Sequence, residues 1–352
     1  MNERVIRVLV AEDSPTVRHH LAGIINETPG LTVIGEARDG REVIELAQAL
    51  QPDVISMDIR MPGIDGLEAT RQIMTLCPMP IVVVSGLVDE DIDLAFRALQ
   101  AGALAVVGKP TARSAPDFAA RQRQLAHTLA AMAGVRVIRR WERPPGQNGA
   151  DTGRLIPPAA PTAPAPEIIA IGASAGGPGA LSILLAGLPT LPVPVVIVQH
   201  MPDEFMPGLA RWLDKTTPLT VQIAADGDTL KPGTVYLSPG RAHLAVRRQG
   251  ATLASALIHE QGIYRYQPAV DVLFQSVAAA CGAAAVGVVL TGMGEDGADG
   301  LLAMRRAGAR TFAQDRASCT VFGMPAAAIQ RGAAEQVLPL KRLPGALLRL
   351  AK

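Results

Sequence analysis

Between Val5 and Pro110, short apolar runs and helical patterns alternate with a regularity that leaves few folds open. The runs Val5–Val10, Thr32–Ala37, Val54–Met57, Ile81–Val84 and Ala105–Gly108 read as strands. Helical patterns fill the gaps at Pro15–Ile25, Gly40–Leu50, Leu67–Leu76 and Asp89–Ala101. Strands joined by helices pair in parallel, because each crossover brings the chain back to the same edge. The expectation is an α/β unit of the (βα)5 type, a parallel sheet covered by helices on both faces.

That architecture collects polar residues at one edge. Glu12, Asp13, Asp58, Ser85 and Lys109 each fall at the carboxyl end of a predicted strand, where open α/β sheets bind ligands. Three carboxylates in one place repel each other unless a hard cation joins them, and Mg²⁺, which takes few carboxylates and keeps several waters, suits this set. A divalent ion, a lysine and a hydroxyl around one carboxylate can accept and stabilise a phosphoryl group. Solvated loop positions would explain any one of these residues but explain all five poorly.

These residues lie in Ala11-Glu12-Asp13-Ser14, in the run Met57-Asp58-Ile59-Arg60-Met61-Pro62-Gly63 through Asp65-Gly66, at Ser85 and in Gly108-Lys109-Pro110. In order and spacing, residues 1–128 resemble a response-regulator receiver domain. The resemblance implies that Asp58 accepts the phosphoryl group from a histidine kinase. It implies that Glu12 and Asp13, with Asp58, hold Mg²⁺, that Lys109 pairs with the phosphoryl group, and that Ser85 reports it. Val106 stands where the family often carries an aromatic switch residue three positions before the lysine.

A basic helical pattern continues over Gln122–Ile138, followed by a stretch rich in proline, glycine and alanine down to Pro166. Such a composition cannot bury a core, so residues 129–166 are expected to act as a partly helical, then extended tether. Either a hinge or an inert spacer fits it.

Beyond the tether, Ile168–Ala173 is an apolar run that ends in Ser174-Ala175-Gly176-Gly177-Pro178-Gly179, and a helical pattern follows. Strand, glycine turn and helix can raise one hydroxyl at a sheet edge and aim helix N–H groups at a developing negative charge. A phosphate-binding turn, or a plain turn with Ser174 as helix cap, fits this stretch equally well. Val193–Val198 is a second strand, and His200 follows it in Gln199-His200-Met201-Pro202. Ala284–Leu290 is a buried strand leading into Thr291-Gly292-Met293-Gly294-Glu295-Asp296-Gly297. Ser174, His200 and Asp296 thus supply a nucleophile, a base to take its proton, and a carboxylate to orient the base. His243 and His259 are rival bases; Asp203, Asp271, Asp299 and Glu295 are rival acids. Asp296 is preferred because glycines flank its loop, and Asp271 reads as a helix N-terminal residue in Pro268–Phe274. Candidate oxyanion donors are the N–H groups just after Ser174, beginning at Ala175, and those around Gly292, Met293 and Gly294.

Residues 167–350 resemble the catalytic domain of the chemotaxis protein-glutamate methylesterases. The resemblance rests on Ile171-Gly172-Ala173-Ser174, Gln199-His200-Met201-Pro202, Ser238-Pro239-Gly240, Val270-Asp271-Val272-Leu273-Phe274, and Leu290–Gly294 with Asp296-Gly297. It implies a doubly wound, mainly parallel α/β hydrolase with Ser174, His200 and Asp296 as its triad and Met293 beside the site. It further implies a substrate, γ-glutamyl methyl esters on the cytoplasmic helices of methyl-accepting chemoreceptors, and a parallel glutaminase activity. No cofactor is expected at the hydrolase site. It also favours a receiver that covers the hydrolase site until Asp58 is phosphorylated. Ala175 stands where the family commonly has threonine.

Composition narrows the alternatives. A formal charge of +1 and an aromatic content of 3% predict no non-specific grip on nucleic acid and supply no base-stacking platform. The cysteines Cys77, Cys281 and Cys319 lie far apart without a CxxC, which argues against a disulfide framework or a zinc site. No signal-peptide pattern or membrane-length apolar run is apparent, so a cytoplasmic protein without membrane insertion is expected. A non-enzymatic output module, with Ser174 as a turn residue, is the alternative from another class. A nucleotide-binding module fits less well, because the Gly172–Gly179 turn lacks a P-loop lysine.

Overall fold

The computed structural model describes residues 5–86, 89–135, 137, 164–259 and 266–351. The chain divides into two compact units, one reaching Glu142 and the other starting at Arg143. Most of the Pro/Ala-rich tether, residues 138–163, lies outside the described residues.

The first unit alternates strictly: β1 (Ile6–Ala11), α1 (Pro15–Glu27), β2 (Leu31–Ala37), α2 (Gly40–Leu50), β3 (Val54–Met57), α3 (Gly66–Leu76), β4 (Ile81–Ser85), α4 (Asp89–Ala101), β5 (Ala105–Gly108) and α5 (Phe118–Ala133). All strand pairs are parallel, in the order β2-β1-β3-β4-β5. Three helices start on side-chain caps visible in the sequence. Ser14 accepts from the Val17 N–H with Pro15 behind it, Asp39 from Glu42, and Asp65 from Glu68. Val8, Leu9, Val10, Val54, Ile55, Ile81 and Val82 are fully buried beneath Leu21, Ile24, Ile25, Val43 and Ile73. Each such side chain contributes roughly 1.5–3 kcal/mol by leaving water. The helix expected over Gln122–Ile138 instead runs over Phe118–Ala133 and gives way at Gly134, a poor helix former.

The second unit contains β6 (Ile168–Ala173), α6 (Gly177–Ala186), β7 (Val195–Gln199), α7 (Met206–Thr216), β8 (Thr220–Ile223), β9 (Thr234–Leu237), β10 (His243–Gln249), β11 (Thr252–Ile258), α8 (Val270–Cys281), β12 (Ala285–Val289), α9 (Ala298–Arg306), β13 (Arg310–Gln314), α10 (Met324–Gln330), β14 (Gln336–Leu338) and α11 (Leu343–Leu350). Seven of these strands form one parallel sheet in the order β14-β13-β12-β6-β7-β9-β8. The chain enters at the centre through β6, builds outward through β7, then returns to β12 and builds the other way. The crevice at the β6/β12 reversal is where such sheets place their ligands. β10 and β11 form a separate antiparallel hairpin, closed at Gly250 in positive φ. This hairpin is not among the strands expected from the sequence, nor are the short outer strands β8 and β14. Their mixed polar composition follows from their place at the sheet edges.

Among the described residues, no helix is long and apolar enough to cross a membrane. None of the three cysteines is in a disulfide among the described residues. Burial pushes Cys281 up to about 11 and Cys319 up to about 12, far from thiolate reactivity.

Candidate active site

Ser174 follows the last residue of β6, and His200 follows the last residue of β7. Because Ala173 and Gln199 are register partners in adjacent strands, the two residues leave the sheet side by side. The His200 N–H donates to the Ala173 carbonyl (2.9 Å), carrying the ladder one step past the strands. On the other flank, the Ser174 N–H donates to the Thr291 carbonyl (3.1 Å) just past β12. After Ser174 the chain turns sharply: Gly176 sits at φ +74°, and α6 begins at Gly177 with its N–H on the Ser174 carbonyl (2.8 Å). A side chain other than hydrogen at 176 would need a strained backbone and would run into Thr320.

Asp296 reaches the same edge from the turn after β12. Its Oδ2 accepts from His200 Nε2 (2.8 Å) and from the Val270 N–H (2.8 Å), and its Oδ1 accepts from the Asp271 N–H (3.0 Å). The carboxylate is therefore seated on the amino terminus of α8, where the helix dipole favours negative charge. Burial works to protonate it, but the His200 hydrogen bond and charge and the two helix N–H groups outweigh burial and hold it below the ordinary carboxylate range. An ionised Asp296 can only accept, so His200 carries its proton on Nε2 and presents Nδ1 as the basic nitrogen. The imidazole face is covered by Tyr266, stacked at 4.9 Å between centroids and 14° between planes.

Most of the rival residues are taken up by other partners. His243 is buried, and its Nδ1 accepts from the Ala269 N–H (3.0 Å). His259 is exposed just past β11. Asp203 accepts from the Gly240 N–H and pairs with Arg241, while Glu295 and Asp299 both pair with Arg331. Asp271 lies at the start of α8, and its Oδ1 accepts from the Gly300 N–H (2.7 Å).

Among the expected oxyanion donors, Gly292 is ruled out: its N–H is taken by the Val321 carbonyl (3.0 Å). Its backbone still matters, since a methyl group there would come within 2.8 Å of Ser174 Cβ. Ala175 is half-buried beside Ser174, and its carbonyl accepts from Thr291 Oγ1 (2.9 Å). Met293 is 42% exposed at the rim.

Two residues near the site escaped the sequence reading. Gln199 is buried, and its Nε2 donates to both the Ser174 and the His200 carbonyls at 2.9 Å, strapping the Ser174 turn to His200. Its only signal was adjacency to His200. Tyr266 carried none.

In the first unit, oxygen atoms of Glu12, Asp13 and Asp58 all lie within 4.8 Å of one another, with Asp13 facing solvent and the other two buried. Lys109 Nζ bridges Glu12 (2.9 Å) and Asp58 (3.0 Å), and Asp58 Oδ1 accepts from the Ile59 N–H (2.8 Å). Burial pushes the Asp58 and Glu12 carboxyls above their ordinary values, with Asp58's charge adding to the effect on Glu12. Burial would lower Lys109, but its two carboxylate partners raise it. The Ser85 hydroxyl is buried without a hydrogen-bond partner among the described residues. Hard oxygen donors under mutual strain, with an unsatisfied hydroxyl nearby, fit a divalent cation and an incoming anionic group. A groove of about 720 Å³ lined by Asp13, Arg60, Asp65, Asp93 and Arg97 opens beside the cluster.

Comparison with known proteins follows the same division. Residues 169–347 match the family model of the CheB methylesterase, and residues 8–115 that of the response regulator receiver domain. The chain is 47% identical over 356 residues to protein-glutamate methylesterase/protein-glutamine glutaminase 4 of Myxococcus xanthus, covering 99% of this chain and 97% of that protein. It is 46% identical over 338 residues to protein-glutamate methylesterase/protein-glutamine glutaminase 3 of Anaeromyxobacter dehalogenans, covering 95% and 96%. The crystal structure of the Thermotoga maritima CheB methylesterase catalytic domain aligns with a TM-score of 0.51 at 39% identity, over 53% of this chain and 98% of that one. With both domain families matched in chain order and relatives of this identity running nearly end to end, the chain belongs to the CheB methylesterase family, in the form that carries a receiver domain ahead of the esterase domain.

Proposed function

We propose that the second unit is a serine hydrolase that demethylates γ-glutamyl methyl esters, and deamidates glutamines, on the cytoplasmic helices of chemoreceptors. The observation that carries the reading is the buried Asp296 carboxylate, fixed by two α8 N–H groups and bonded to His200 beside the Ser174 turn. The curated relatives, named for both activities, support the substrate class. Ser174 Oγ attacks the ester carbonyl as its proton passes to His200 Nδ1, and Asp296 stabilises the imidazolium that forms. The N–H of Ala175 and those of Met293 and Gly294 are the candidates to receive the oxyanion. His200 then returns the proton to the departing methoxide, and methanol leaves. Water activated by the same imidazole hydrolyses the acyl-enzyme to glutamate. On glutamine the leaving group is ammonia.

The first unit controls this activity by phosphorylation of Asp58 from a histidine kinase. Glu12, Asp13 and Asp58 would hold Mg²⁺, whose positive charge offsets the crowding of carboxylates and of the phosphoryl group. Lys109 would pair with the phosphoryl oxygens and Ser85 would bond one of them. A cytoplasmic location accords with a substrate on the receptors' cytoplasmic helices. The test is methanol release from membranes carrying methylated receptor. Ser174→Ala and Asp296→Asn should each lose about 10³-fold or more in kcat with the fold intact. A small phosphodonor with Mg²⁺ should stimulate the wild type but not Asp58→Asn. Ordinary turnover by Ser174→Ala would overturn the hydrolase reading.

A further inference from the structure

The acid of the site does not stand alone. Asp296, just before α9, accepts the first N–H groups of α8, from Val270 and Asp271. Asp271, in the first turn of α8, accepts the Gly300 N–H in the first turn of α9 (2.7 Å). Each helix start is thus capped by a carboxylate from the other. The two helices pack with no slack at this point: a methyl group on Gly300 would lie 2.9 Å from the Asp271 carbonyl.

We infer that Asp271 is a positioning residue of the hydrolase site, which ties the Asp296 turn to α8 and whose negative charge strengthens the support Asp296 gives to a positive His200. This rests on the triad reading above. Asp271 touches neither substrate nor His200. It acts because a second anion behind Asp296 deepens the negative potential that the imidazolium meets in the transition state.

The charge is conditional. Burial first, then the charges of Asp296 and Asp299, push the Asp271 carboxyl up to about 6, against the Gly300 N–H that lowers it. The other ionisable groups around it are Arg331, which faces Asp271 and pairs with Asp299 and Glu295, and His243 at the start of β10, bonded to Ala269. His200 lies beyond Asp296. As pH falls through this region Asp271 takes up a proton, keeps an oxygen for Gly300, and withdraws its charge from the acid of the triad.

The test is kcat and KM for methanol release from methylated receptor between pH 5 and 9, in the full chain. The wild type should show a first break in kcat on the acid side, where Asp271 takes up its proton. Asp271→Asn keeps the acceptor for Gly300 and removes the charge. It should lack that first break, with a plateau lowered by about three- to tenfold and an unchanged KM. Asp299→Asn, on the exposed side of α9, should move the first wild-type break to lower pH and leave the plateau in place. An Asp271→Asn profile that matches the wild type in shape and height would overturn the inference, as would an Asp299→Asn profile with no displaced break. Asp296→Asn separates the two levels. If it is inactive while Asp271→Asn matches the wild type, the triad stands and the role of Asp271 falls; if it is fully active, the triad itself is wrong.

Discussion

Replacing Gln199 should be far more damaging than its distance from any reacting atom suggests. Gln199 is 1% exposed, and its Nε2 serves the Ser174 and His200 carbonyls together, while its Oε1 has no hydrogen-bond partner among the described residues. In Gln199→Leu the His200 carbonyl loses this donor, at about 1–3 kcal/mol, whereas the Ser174 carbonyl keeps the Gly177 N–H and loses less, about 0.5–1.5 kcal/mol. Removing the unpartnered Oε1 returns part of this, leaving a net destabilisation of about 1–2 kcal/mol. For a domain of this size that lowers the melting temperature by roughly 2–8 °C. The catalytic effect should be larger, about 10- to 100-fold in kcat with little change in KM, because the strap sets how the Ser174 turn meets His200. Gln199→Glu is the sharper probe. Nearly the same size, it presents oxygens to two carbonyl oxygens and must be protonated to donate even once. It should therefore be worse than leucine in both melting temperature and kcat. Calorimetry and methanol release on the three proteins decide the matter. A Gln199→Glu enzyme as stable and as fast as wild type would refute the strap.

Other expectations follow from the same geometry. The Asp58 carboxyl is raised in the folded receiver, so its contribution to stability is full below the ordinary 3.8 and is lost as pH rises through the folded value. At pH 7.5 without Mg²⁺, Asp58→Asn should then melt higher than wild type, and adding Mg²⁺ should raise the wild type and not the variant; a lower-melting Asp58→Asn would contradict this. Asp296 has the opposite sign: its stabilisation is present above 3.8 and disappears as pH falls through its lowered folded value, so acid unfolding of the hydrolase domain should be steepest there and flattened in Asp296→Asn. The ring on His200 should contribute about 0.5–1.5 kcal/mol to holding and charging the imidazole. Tyr266→Phe should keep nearly full kcat and Tyr266→Ala should lose about two- to twelvefold, and equal rates for the two would show the stacking to be idle.

Much of this site could be read from the chain because a parallel sheet imposes a rule on it. Every strand delivers its last residue to the same edge, so the residues after β1, β3, β6, β7 and β12 had to gather wherever the strands paired. Local signals sufficed for this: apolar runs set the strands, while Ser14, Asp39, Asp65 and the glycines after Ser174 set where helices begin. That reasoning reaches Glu12, Asp13, Asp58, Lys109, Ser174, His200 and Asp296. Among the acids it had only the glycines around Asp296 to go on, not the contacts. Asp271, Asp296 and Asp299 lie close in the fold and all precede or open helices. What distinguishes Asp296 is that two N–H groups of α8, 25 and 26 residues back along the chain, and His200, 96 residues back, converge on its oxygens. Nor could it foresee that the Val321 carbonyl takes the Gly292 N–H, that Tyr266 covers His200, or that one buried amide joins the Ser174 turn to His200. Periodicity and caps are properties of neighbouring residues and survive in the sequence. Which donor meets which acceptor across a sheet edge depends on packing between distant segments, and only the folded chain decides it.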